Sequence, residues 1–155
     1  MKENPASKTI RDRLEPGALS VEGFLGHDDR PLADIIAADT GEVEAAGLTV
    51  EQLGAFLESL HEAADSGWEG RVPLFDGRIR VRVTETLGQT PCPFACGAHS
   101  HKAVVEVFDD KEQVLLRFTP LDAHLIRNHG FFEGKGAPYR IAPAELIELY
   151  RLCME

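Results

Sequence analysis

No run among the 155 residues comes near the roughly 20 apolar residues of a membrane span, and the first residues hold no apolar core of a secretion signal. Cysteine is scarce. Three residues, two of them closely spaced, are too few for a disulfide framework and suit a reducing compartment. The cytoplasm is therefore the expected location. Basic residues are absent between Arg30 and Arg71. Residues 1–70 carry five Lys or Arg against fifteen Asp or Glu, whereas residues 71–155 carry eleven of each, so the net charge of −10 arises wholly in the first half. Such a chain is repelled by nucleic acid and anionic membrane, which argues against both as partners. Neither a G-x-x-x-x-G-K-[ST] loop nor a strand–G-x-G-x-x-G–helix unit is present, so nucleotide hydrolysis has no support.

What is present reads as α+β. Residues 1–27 mix Lys, Glu, Pro, Ser and Gly with little periodicity and predict a flexible N-terminal segment, with a short ordered piece at Val21–Leu25. Residues 28–155 predict a single α+β domain, divided into a helical hairpin over 28–67 and a metal-binding lobe over 70–155. Asp28 or Asp29 can cap a first helix, with Pro31 in its first turn, an apolar stripe of Leu32, Ile35, Ile36 and Val43, and Gly47 as a left-handed stop. Thr49 and Gln52 form a capping box for a second helix with the stripe Val50, Leu53, Phe56, Leu57 and Leu60. The short link implies an antiparallel pair. Its outer acidic face, Asp34, Asp39, Glu42, Glu44, Glu51, Glu58 and Glu62, is either a solvated surface or a docking face for a basic protein partner.

From Arg71 the period changes to two. Asp76-Gly77 marks a hairpin between Val72–Phe75 and Arg78–Val83. Ile79, Val81 and Val83 face the core, leaving Arg78, Arg80 and Arg82 on the opposite face, to meet either solvent or an anion. Strands over 103–108 and 114–118 complete an antiparallel sheet of about four. Thr119-Pro120-Leu121-Asp122 opens a helix that ends at His129-Gly130. A glycine-rich loop runs to Arg140, and Pro143 starts a terminal helix.

The chemistry centres on Cys92 and Cys96. Zinc takes four N or S ligands at about 2.0–2.3 Å in a tetrahedron, and Cys-x3-Cys in a tight turn, favoured by Pro93 and Gly97, aims two sulfurs inward. His124 and His129 can supply the other two. On an ideal helix they point about 140° apart, but Gly130 marks the helix end, where the last turn can swing His129 back. The competing ligands are His99 and His101, which would make a local but strained loop site. Without a metal, His124 reads as a buried helix histidine, His129 as a C-capping one, and Cys153 as a small apolar residue.

This ligand pattern resembles the zinc finger with two cysteine and two histidine ligands, a ββα element. It departs in the centre, where 27 residues separate Cys96 from His124 instead of about 12. The stretches Pro91-Cys92-Pro93-Phe94 and His124–Arg140 (HLIRNHGFFEGKGAPYR) are similar to a family of uncharacterised bacterial proteins, over roughly residues 28–150. That resemblance implies a soluble, single-domain bacterial protein and carries no activity.

Three functions follow. The first is a non-catalytic zinc protein whose closed coordination shell is structural and whose surface meets a partner. The second is a metalloenzyme with Cys92, Cys96 and His124 as ligands, an open position for water, and Glu133 as base. The third is an anion- or RNA-binding protein using Arg78, Arg80, Arg82, Lys135 and Arg140, with the backbone N–H groups of residues 134–137 cradling an oxyanion.

Overall fold

Thr49 and Thr119 each end an extended segment and start a helix, and these two helices carry the centre of the fold. The structure, a computed structural model, describes residues 5–155. Among them the elements run α1 (Pro5–Leu14), α2 (Leu32–Ala45), α3 (Val50–Asp65), β1 (Val72–Leu74), β2 (Ile79–Pro91), β3 (His99–Asp109), β4 (Val114–Phe118), α4 (Pro120–His129) and α5 (Pro143–Met154). The class is α+β, with an antiparallel sheet in the order β1-β2-β3-β4.

Both threonines close capping boxes, Thr49 with Gln52 and Thr119 with Asp122, satisfying backbone donors that a helix start leaves free. α3 buries Leu53, Phe56, Leu57 and Leu60 on one stripe against the sheet face formed by Ile79, Val81, Val83, Val105 and Val107. Asp76 and Gly77 both take positive φ (58° and 81°), as a mirror-image hairpin turn requires, and Arg78 N–H closes that turn on the Phe75 carbonyl. α3 also packs along α4. Gly54 permits this approach, since a Cβ there would lie 2.3 Å from the Cβ of Arg127.

Several expectations need correction. Of the lead-in through residue 27, residues 1–4 lie outside the described residues, but the rest is structured. Residues 5–14 are helical, and Leu14, Phe24 and Leu25 are buried in a second apolar cluster with Leu32, Ile35, Cys92, Leu121, Leu125 and Phe131. Their isolated spacing hides them from a periodicity reading. Neither Asp28 nor Asp29 caps α2, whose N-cap is Pro31 with no side-chain bond. The buried Asp28 instead takes two bonds from the Arg30 guanidinium (2.8 and 2.6 Å) and one from Lys135 N–H (3.1 Å). α2 and α3 follow one another across a short link, yet their main packing lies elsewhere: α2 against α5, α3 against α4 and β2. The acidic face is interrupted too. Asp39 is buried in a bidentate pair with Arg140 (2.8 and 2.9 Å), and Glu58 pairs with Arg127.

β2 and β3 run well past the expected strand ends, and Thr84–Gln89 are exposed on both faces. Here the ladder is irregular. Glu85 pairs with Ala103 and Gln89 with His101, so Thr86, Leu87 and Gly88 stand against Lys102 alone. The Cys92–Cys96 loop forms the tip of this long hairpin.

The loops 24–28 and 134–137 are locked face to face. Gly134 N–H donates to the Phe24 carbonyl (2.8 Å) and His27 N–H to the Lys135 carbonyl (3.0 Å). A Cβ on Gly134 would meet the Leu25 carbonyl oxygen at 2.3 Å, which explains the glycine there. No helix among the described residues is long and apolar enough to cross a membrane.

Candidate metal centre

The hairpin tip is closed by Cys92 N–H donating to the Ala98 carbonyl (2.9 Å) and Ala95 N–H to the Cys92 carbonyl (3.0 Å). Ala95 and Gly97 adopt positive φ (57° and 90°), which folds the chain back and turns both thiols to one side. Backbone N–H groups of Phe94 and Cys96 point at the Cys92 sulfur, an arrangement that favours a thiolate. In the absence of an ion, burial pushes the Cys92 thiol up to about 11. A metal would therefore displace a proton there.

α4 brings the imidazoles. His129 is the last residue of α4, and Gly130 follows in the left-handed conformation (φ 62°). His124 Nε2 lies 3.2 Å from Cys96 Sγ, and His129 Nε2 lies 3.4 Å from Cys92 Sγ. All four ligand atoms lie within 4.8 Å of one another. In a tetrahedron with Zn–S near 2.3 Å and Zn–N near 2.0 Å, sulfur and nitrogen stand about 3.5 Å apart, so the donor set fits one ion with little movement. Burial holds both imidazoles below the ordinary histidine value, which keeps them neutral and able to coordinate.

The surroundings hold these four side chains in place. Phe94 stacks on the His129 ring (centroids 4.3 Å apart, planes at 6°). The Asn128 side-chain amide sits 3.0 Å from His124 Nδ1, so the ring nitrogen facing away from Cys96 has its own partner. Arg13 of α1 donates to the Pro93 carbonyl (3.3 Å), and Cys92 is packed into the second apolar cluster. The four residues that the sequence singles out do come together, but this support from the N-terminal segment is not legible there. Cys96 is exposed, so the centre lies at the surface.

The other candidates separate from this centre. His99 and His101 lie on β3, exposed, and outside the cluster of four. Glu133 is hydrogen-bonded to Asp122, and burial with that neighbour pushes its carboxyl up to about 12, so it keeps its proton and cannot serve as a base at neutral pH. The proposed arginine stripe is largely committed within the protein. Arg82 pairs with Glu106 (2.5 Å) and, with Arg71, covers the Phe108 ring; Arg117 also pairs with Glu106 (3.2 Å). Arg78 donates to the Leu152 carbonyl (3.2 Å). Arg140 is taken by Asp39 and the Glu133 carbonyl. In the glycine-rich loop, Lys135 N–H is occupied by the protein's own Asp28 carboxylate, the role an external anion would have filled. The Lys135 side chain is exposed. Cys153 is buried in the main core.

A second group, His61, Asp65 and Glu85, also comes within metal-binding reach, at a partly exposed position where His61 and Asp65 pair at helical spacing (3.5 Å). No protein-family model, curated protein or solved structure matches the chain.

Proposed function

We propose that this is a non-catalytic zinc protein of the bacterial cytoplasm, in which the ion has a structural role and the surface serves as an interaction module. The observation that carries the reading is the closed donor set. Two thiols and two imidazoles from a hairpin tip and a helix end lie within bonding reach of one point, leaving no vacant position for a substrate. Thiolate with imidazole in a tetrahedral set selects zinc over the hard cations that prefer oxygen. A cysteine pair at a hairpin tip and a histidine pair on a later helix support the likeness to a two-cysteine, two-histidine zinc finger, and the strand β4 inserted between them departs from a DNA-reading finger. Exposed Asp34, Glu42, Glu44, Glu51 and Glu62 on α2 and α3 suit a basic protein partner.

The test is zinc per chain in protein purified without an affinity tag. About one zinc per chain is expected. Cys92→Ser and His124→Ala should lose it, while His99→Ala and His101→Ala should keep it. Loss of metal from a His99 or His101 variant, with retention in His124→Ala, would overturn the assignment.

A further inference from the structure

The core-facing rows of α3 and β2 both change character where they leave the core. Along α3, at four-residue spacing, Leu53 and Leu57 are fully buried, whereas His61 is partly buried and Asp65 exposed. Along β2, the alternate residues Ile79, Val81 and Val83 are buried, and Glu85 carries the same face into the open. The two rows converge. One ligand atom each of His61, Asp65 and Glu85 lies within 4.8 Å of the others.

The charges at this meeting point are not balanced by the protein. Two carboxylates so close repel one another, and a cation between them is the usual remedy. No Lys or Arg lies on α3, and among the described residues neither Asp65 nor Glu85 pairs with one. His61 Nε2 stands 3.5 Å from Asp65 Oδ2. That is long for a hydrogen bond, but it is close to the edge of about 3.4 Å in a tetrahedron of N and O donors around one ion. Asp65 and Glu85 also line a concavity of about 490 Å³ with Trp68, Glu69 and Val83, which leaves the solvent side open to water.

We infer that His61, Asp65 and Glu85 form a second metal site, one that takes a divalent first-row transition ion in exchange with solvent. The imidazole favours such an ion over magnesium or calcium, and the two carboxylates neutralise its charge. Three protein donors leave a coordination position for water, unlike the closed set at the hairpin tip. The site shares no residue with that set and does not depend on zinc being held there.

The test uses the full-length chain as purified, with its zinc content measured, titrated with Ni²⁺. Trp68 is the sole tryptophan, 93 % exposed on the same concavity, and its fluorescence reports an ion bound beside it. Saturable quenching by about one Ni²⁺ per chain is expected, with paramagnetic broadening of the His61 ring signals. Mg²⁺ at the same concentration should not compete. His61→Ala, Asp65→Asn and Glu85→Gln should each weaken Ni²⁺ by at least about tenfold and leave the zinc content of the chain unchanged. A chain purified without zinc that still shows quenching dependent on His61 would support this site while sinking the structural-zinc reading. Absence of saturable quenching would overturn the inference, as would undiminished affinity in any of the three variants or equal competition by Mg²⁺.

Discussion

At the scale of single residues, the centre is a set of donors arranged to exchange protons for metal. Cys92 is buried and, without an ion, protonated well past neutral pH, while both histidines are already neutral there. Metal binding at neutral pH therefore releases the Cys92 thiol proton, and affinity rises with pH. The imidazoles begin to compete only when pH falls below the ordinary histidine value, because theirs lie lower still. Titration of zinc against a competing chelator at several pH values should show affinity climbing by at least about tenfold per pH unit near neutrality, the slope for one displaced proton. A slope near zero would mean that Cys92 is not a ligand.

At the scale of elements, legibility followed from how local each signal is. The capping boxes, the Asp76-Gly77 turn, the apolar stripe of α3 and the helix stop at Gly130 are each written within a few residues, and each is where the sequence places it. The cysteine turn was legible for the same reason. α1 and the extension of β2 were not, because their partners are remote: Leu14 and Phe24 are buried by residues beyond position 90 as well as by α2, and Thr84–Gln89 have no buried face to set a period. The destination of Asp28 was equally hidden, its backbone donor lying at Lys135. Gly54 gives the element scale its own test. In an isolated helix Gly54→Ala would stabilise by about 1 kcal/mol. Here the added Cβ collides with Arg127 of the ligand-bearing helix, and overpacking of this kind costs about 1–3 kcal/mol. The variant should be net destabilised in urea unfolding and should hold zinc less tightly, since α4 must move away from α3. A more stable variant would show that the two helices are not held so close.

At the scale of the whole molecule, two apolar clusters share the labour. The larger joins α3, α5, the sheet and the Ala123 and Ile126 side of α4, whereas the smaller joins the N-terminal segment, the start of α2, the hairpin tip and the Leu121 and Leu125 side of α4. Of the four candidate ligands only Cys92 belongs to a cluster, the smaller one. Chelation should therefore remove hydrogen-exchange protection first from residues 90–98, α4 and residues 10–28, while α3 and the β2–β3 ladder near Val81 and Val107 remain protected. Simultaneous loss across both clusters would show that they form one cooperative unit. The interlocked loops 24–28 and 134–137 set a timetable as well. The first of them leaves the ribosome more than a hundred residues ahead of the second. Leu14, Phe24 and Leu25 must wait through most of translation with their final partners unmade, and a nascent chain halted before Gly134 keeps that apolar segment open to whatever meets it first.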